Sequence, residues 1–312
     1  MQFLKGHGTR NDFVILPDHD GLLDVSAALV RVLCDRRGGI GGDGVLHVVP
    51  TRSVPEVAGQ ADVAEWFMDY RNGDGSIAEM CGNGIRVFAR YLVQEGLAKT
   101  GEFAVATRAG VKSICVPEEG DISVNMGVPE LLDLGQVTVR ANGRSWSGTS
   151  VSMGNPHVVV PVSDLHDAGN LLEMPSVDPP GAFPNGVNYE FVVGRGRGRI
   201  AMRVHERGAG ETQSCGTGTC AAAVAAARWW SPPRPFVYDV DVPGGRVRVA
   251  EQADGSLILS GPAEIVASGT IDDEWLAERL AAELAAPQTA AAKAAVQTVA
   301  VQKAGDGARP AG

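Results

Sequence analysis

No apolar stretch in the 312 residues is long enough to cross a bilayer, which takes about 20. The opening MQFLKGHGTRNDF lacks the apolar run of a secretory signal, so no signal peptide is expected. The five cysteines, at 34, 81, 115, 215 and 220, are odd in number and form no CxxC pair. That pattern fits a reducing cytoplasm better than a disulfide framework or a zinc site. Basic charge is short as well. Lys and Arg total 27 against 37 Asp and Glu, a net charge of −10, which argues against nucleic acid or an anionic membrane as the main partner. The one basic cluster, Arg195, Arg197 and Arg199 spaced by glycines, reads as a solvated hairpin. A cofactor signature is missing too. GIGGDG at 39–44 matches GxGxxG, but a helix-like segment precedes it and the strand-like VLHVV follows, the reverse of a dinucleotide site. A tight glycine turn accounts for it better.

What is present is ordinary globular composition, 44% hydrophobic and 21% charged, with length for about two domains and ample core. Two segments stand out. ETQSCGTGTCAAAVAAARWW at 211–230 places Cys215 before Gly-Thr-Gly and a run of alanines. Alanine is the best helix former, so a helix is expected just after the glycines, packed closely on every side. MCGNGIRVFAR at 80–90 repeats the form, with Cys81 before Gly-Asn-Gly and apolar residues at helical spacing. The copies lie 134 residues apart (215 − 81), about half the chain once its tail is set aside. A repeat at that spacing suggests two similar domains, each presenting a thiol at the start of a central helix. Free N–H groups and the dipole there favour negative charge, and such a site can bring a thiol from about 8.5 to roughly 3.5–7.5. Each copy alone also fits a buried structural cysteine ahead of a packed helix.

Along the rest of the chain, strands are expected at 13–16, 45–49, 65–70, 103–107, 111–116 and 122–126, with a helix at 25–33. The pattern then restarts at 137–139, 149–153, 158–162, 187–193 and 200–204, and resumes after the second cysteine at 236–242, 246–250, 257–260 and 264–267. Many short strands around one dominant helix per half imply an α+β fold, a mostly antiparallel sheet wrapped on a helix in each of two pseudo-symmetric domains. The expected division is 1–126, with 263–284 packing back on it, then 127–262. Residues 271–284 suggest a further helix and 285–312 an Ala-rich flexible tail with little to bury.

Two thiols facing each other across a cleft suit inversion of a stereocentre. One removes a proton from a carbon while the other returns one to the opposite face. Backbone N–H groups at Gly82–Asn83 and Gly216–Thr217 can hold a carboxylate that takes up the developing charge. Such chemistry needs no cofactor, and none is expected.

Several longer segments carry a resemblance: GHGTRNDF (6–13), YRNGDGS (70–76), MCGNGIRVFARYL (80–92), SMGNPHVVV (152–160), PNGVNYEFV (184–192) and RVHERGAGETQSCGTGTCAAA (203–223). In this order they resemble the PLP-independent amino-acid racemases and epimerases, and among them the diaminopimelate epimerase family closely. The resemblance covers residues 1 to about 270. It implies interconversion of LL- and meso-diaminopimelate in lysine and peptidoglycan-precursor synthesis, by a cytoplasmic homodimer without pyridoxal phosphate or metal. Cys81 and Cys215 would be the paired acid and base, supported by His157 and Glu206. Asn11, Asn72, Asn155, Asn188, Glu206 and Arg207 would bind substrate, with Gly82, Asn83, Gly216 and Thr217 on the reacting carboxylate. Arg207 can pair in two-pronged fashion with a distal carboxylate.

Other readings stay open on the residues alone. His157 after Pro156 also suits a satisfied histidine at a strand start, Asn72 and Asn188 suit turns, and Glu206 with Arg207 suits a surface ion pair. Cys34, Cys115 and Cys220 read as structural. Some family members have glutamine where this chain has Gly44. A proline or hydroxyproline racemase would share both cysteines but is expected to carry histidine at Asn83, and a phenazine-type isomerase would lack the thiols. A non-catalytic amino-acid-binding member would differ only in turnover.

Overall fold

The computed structural model describes residues 1–285; the tail expected at 285–312 lies outside them apart from Ala285. The first half contains β1 (Gln2–Gly8), β2 (Asn11–Pro17), α1 (Ala27–Cys34), β3 (Gly44–Pro50), β4 (Trp66–Asn72), α2 (Gly82–Gln94), β5 (Gly101–Val105), β6 (Lys112–Val116) and β7 (Ile122–Gly127). Then come β8 (Glu130–Leu131), β9 (Val137–Ala141), β10 (Arg144–Ser152), β11 (Pro156–Pro161), β12 (Ser176–Asp178), β13 (Asn188–Gly194), β14 (Arg199–Glu206) and β15 (Gly210–Thr212). The chain continues with α3 (Gly216–Trp230), β16 (Val237–Val242), β17 (Gly245–Glu251), β18 (Leu257–Gly261), β19 (Glu264–Thr270) and α4 (Asp273–Ala285).

One sheet has the order β19-β1-β2-β3-β4. Its pairs are antiparallel except β2 with β3, so the chain returns from Cys34 through the glycine turn at 39–44 to run beside β2. The other sheet runs β12-β9-β10-β11-β13-β14-β16-β17-β18-β7-β6-β5, with β8 and β15 attached at its side. Only β11/β13 and β14/β16 are parallel in it. The pairing of β18 with β7 carries this sheet across position 126, and β19 pairs with β1. Arg195, Arg197 and Arg199 lie at the β13–β14 hairpin, as expected, where the Arg195 N–H donates to the Arg199 carbonyl at 2.9 Å. Residues 1–270 form one compact unit and a second begins at Ile271. In that second unit Asp272 caps α4 by accepting the Trp275 N–H at 2.8 Å. No helix among the described residues is long and apolar enough to cross a membrane.

The sheets wrap two helices buried on nearly every side. In α2, Ile85, Val87, Phe88, Ala89, Tyr91 and Leu92 are buried, too many for one stripe, which is how a central helix reads. In α3 every residue from 218 to 227 is buried. Alanine there loses no side-chain entropy and lets strands approach the helix backbone. The helix stops at Ser231, in the left-handed region at φ 44°, just before Pro232 and Pro233. Core residues from both helices join one continuous cluster. That cluster fixes where the helices begin.

Candidate active site

Both cysteines are N-caps with nearly the same backbone. Cys81 has φ −136° and ψ 121°, and its sulfur accepts the Gly84 N–H at 3.3 Å. Cys215 has φ −124° and ψ 117°, and its sulfur accepts the Gly218 N–H at 3.4 Å. The helix starts meet glycine to glycine. A Cβ on Gly216 would lie 2.9 Å from Gly82 Cα, and one on Gly82 would lie 3.2 Å from Gly216 Cα. Only residues without side chains permit this approach. The motifs are also tied by side chains. Asn83 Nδ2 donates to the Ser214 carbonyl at 3.0 Å and to Asn11 Oδ1 at 3.2 Å, and the Cys81 thiol reaches the same Asn11 oxygen at 3.7 Å.

The second thiol has its own set of neighbours. Thr217 Oγ1 lies 3.5 Å from Cys215 Sγ and accepts Asn155 Nδ2 at 3.3 Å. Asn155 Oδ1 accepts His157 Nε2 at 3.1 Å, and His157 Nδ1 meets Glu190 Oε1 at 2.6 Å, both side chains being fully buried. The Glu206 carboxyl hydrogen-bonds the Cys215 thiol and accepts the Thr212 hydroxyl. Asn188 accepts the Arg207 N–H at 2.9 Å, and Arg207 Nη1 donates to the Asn185 carbonyl at 2.7 Å. Asn72 accepts the Tyr70 hydroxyl at 2.8 Å and donates to Ser76. Tyr70 in turn feels the charges of Cys81, Glu206 and Asp43. The structure therefore brings all the expected residues to one region. Asn83 contributes a buried side chain that joins the two motifs, rather than one open to a ligand.

A family model described as diaminopimelate epimerase matches residues 3–132 and 149–266. The chain belongs to the diaminopimelate epimerase family. A relative of that name from Streptomyces coelicolor is 56% identical over 281 residues, covering 88% of this chain and 97% of the relative. Another from Thermobifida fusca is 49% identical over 279 residues, covering 87% and 98%. Solved structures share the fold at low identity. A phenazine biosynthesis protein of the PhzF family from Bacillus anthracis gives a TM-score of 0.62 at 17% identity, over 86% of this chain and 98% of that one. A hydroxyproline epimerase from Agrobacterium vitis, solved with trans-4-hydroxy-L-proline, gives 0.59 at 15%, over 86% and 91%.

Electrostatics differ from the expectation for a thiol at a helix start. Burial pushes Cys81 up to about 11, helped by the Glu206 carboxylate and opposed by the N–H groups of Gly84 and Asn83 and by Arg86. Burial, Glu206 and Glu190 also push the Cys215 thiol well up. Burial also raises Glu206, against the hydrogen bonds from Thr212 and Cys215. The helix-start N–H donors are in place, but desolvation outweighs them in the substrate-free site.

Sequence reasoning missed Glu190, although a lone acid inside the apolar run VNYEFVV was a visible signal. It also missed Ser214, Tyr70 and Arg86. At Gly44 a Cβ would fall 2.4 Å from the Arg71 carbonyl oxygen and 2.8 Å from the Tyr70 ring. No side chain fits there. Tyr70 fills the space and directs its hydroxyl to Asn72.

Proposed function

We propose that this chain interconverts LL- and meso-diaminopimelate, as the names of its relatives indicate for them, and that it does so with two thiols as a cytoplasmic homodimer. The observation that carries the reading is the duplicated thiol N-cap, with the two helix starts abutting at Gly82 and Gly216. A thiolate on one side takes the α-proton and becomes a thiol. The electron pair left on carbon is delocalised onto the carboxylate held by the N–H groups of Gly82–Asn83 and Gly216–Thr217. The opposite thiol then gives its proton to the other face and becomes the thiolate, so charge and protons balance. No cofactor takes part.

Burial of both thiols makes the charged form costly in the empty site and adds to its basicity when it forms. Glu206, bonded to Cys215, and His157, set by Glu190 and Asn155, support proton transfer. Arg207 exchanges the Asn185 carbonyl for the distal carboxylate of the substrate, and Asn11, Asn72, Asn155 and Asn188 receive its polar groups. The place of the reaction is in lysine and peptidoglycan-precursor synthesis. The purified chain is assayed without added cofactor on LL- and meso-diaminopimelate beside L-proline and trans-4-hydroxy-L-proline. The stereoisomers are separated by chiral chromatography. Turnover of diaminopimelate alone is expected; turnover of a proline substrate and not of diaminopimelate would overturn the proposal.

A further inference from the structure

Tyr70 and Asn72 stand two residues apart on β4, so their side chains leave the same face of the strand. In the register of β3 with β4, Gly44 lies opposite Asn72 and Leu46 opposite Tyr70. Gly44 thus leaves open the place where a cross-strand side chain would meet Asn72. The Tyr70 ring leans into it, since a Cβ on Gly44 would fall 2.8 Å from Tyr70 Cε2. Phe13 packs edge-on against the same ring, with centroids 5.9 Å apart. Tyr70 is buried, and its hydroxyl reaches Asn72 Oδ1 at 2.8 Å.

The direction of that bond follows from the other end of the amide. The Asp74 carboxylate only accepts, and it takes both the N–H and the hydroxyl of Ser76, at 2.8 Å and 2.6 Å. With its proton committed there, Ser76 Oγ accepts Asn72 Nδ2 at 3.0 Å. The amide oxygen then faces Tyr70, whose hydroxyl donates. Burial, followed by the charges of Cys81, Glu206, Asp43 and Cys34, raises that hydroxyl well above its ordinary value, so it keeps its proton. Backbone bonds hold the turn closed. The Asn72 N–H donates to the Ser76 carbonyl at 2.9 Å, and the Gly75 N–H donates to the Asn72 carbonyl at 2.8 Å. Turning the amide over would set its oxygen against Ser76, which would have to give up a charge-assisted bond to Asp74. An asparagine amide has two N–H groups and two lone pairs on oxygen. One of each is left over here, at fixed places.

We propose that Tyr70 and Ser76 are positioning residues that lock the Asn72 amide in one orientation, so that the substrate meets its N–H and its oxygen in one order only. This rests on Asn72 being a substrate-binding residue and deepens that reading. A substrate end with a carboxylate and an ammonium on one carbon is bound with the carboxylate towards Nδ2 and the ammonium towards Oδ1.

The test uses the full chain. KM and kcat are measured on LL-diaminopimelate. Kd is measured by titration calorimetry with diaminopimelate at its LL/meso equilibrium, which also reads inactive variants. Tyr70→Phe removes one oxygen and keeps the ring, and Ser76→Ala acts at an exposed position. Each is expected to raise KM and Kd by roughly three- to tenfold, the worth of one ordinary hydrogen bond, with kcat changed by less than about twofold. Introduced into Asn72→Ala, neither has a further effect on Kd, because the amide through which they act is gone. A purely structural role lowers the melting temperature and leaves KM and Kd where they were. The proposal is overturned if either variant, folded by circular dichroism, binds as tightly as the unmodified chain. It is also overturned if Tyr70→Phe weakens binding as much in Asn72→Ala as it does alone, which would put the hydroxyl on the substrate itself. Should Tyr70→Phe fail to fold, Ser76→Ala decides. Failure of the substrate reading would instead appear in the unmodified chain, as neither turnover nor binding of diaminopimelate.

Discussion

Replacing Gly216 by alanine adds a single methyl group where α2 and α3 meet. Gly216 is the first residue of α3, and its backbone is outside the left-handed region, so the change tests space alone. The new Cβ would stand 2.9 Å from Gly82 Cα, about 0.5 Å inside the 3.4 Å at which ordinary contact begins. Leu259 Cδ2, at 3.2 Å, can rotate away, but Gly82 is backbone and part of the opposite helix start. The two starts must therefore part by a few tenths of an ångström. Overpacking of this kind costs about 1–3 kcal/mol. In a unit of this size each kcal/mol lowers Tm by about 2–4 °C. Misplacing reacting groups by 1 Å can cost about a hundredfold in rate, so half that displacement should lower kcat by on the order of tenfold. The assay pairs a thermal melt with initial rates on LL-diaminopimelate. Gly59→Ala is the control, since a Cβ there meets nothing within 4 Å and the change should be neutral or slightly stabilising. Unchanged Tm and kcat in Gly216→Ala would refute the close helix contact and the reasoning built on it.

Cys81→Ala and Cys215→Ala should each abolish epimerisation while leaving the far-ultraviolet circular dichroism unchanged; near-normal turnover in either would remove that thiol from the reaction. Arg207→Lys should raise KM more than it lowers kcat, because lysine cannot make a two-pronged contact; unchanged kinetics would leave Arg207 to the loop at Asn185. Burial alone would push the Asp69 carboxyl up, but hydrogen bonds from His47 and Arg71 and the charges of Arg108 and Arg71 hold it well below the carboxylate range. The stability this gives is present above about pH 4 and is lost as pH falls towards the lowered value. The Tm gap between the unmodified chain and Asp69→Asn should therefore narrow from pH 7 to pH 2, and a constant gap would contradict it.

Much of the site was legible because its chemistry sits in local pattern. A cysteine before Gly-x-Gly and a helical run points to a thiol at a helix start, and two copies point to two such thiols. Strands with alternating or continuous apolar runs, such as β2, β3 and β13, were equally plain. β1 was not, because QFLKGHG mixes apolar, basic and glycine residues and is held by its pairing with β2 and β19. The union of β7 with β18 joins residues more than 100 positions apart and has no local signature. Glu190 and Arg86 escaped for a related reason. Their partners, His157 and Thr9, lie on other elements, and only the fold supplies them. The depressed thiol values expected at a helix start were displaced by burial, which sequence spacing does not report.

The central claim is that two thiols act from opposite faces of one carbon, and the fate of the α-hydrogen in deuterium oxide tests it most directly. The enzyme is equilibrated in deuterium oxide, so the protonated thiol of the pair carries deuterium before substrate is added. A thiolate removes the substrate α-hydrogen and keeps it, while the opposite thiol delivers deuterium. At early times the inverted product should carry deuterium at the α-carbon and recovered substrate almost none. The same pattern should appear whether LL- or meso-diaminopimelate is the starting material, because acid and base exchange roles. A single base moving between faces would return part of the original hydrogen to the product. Substantial hydrogen in the first-formed product would contradict the two-thiol account.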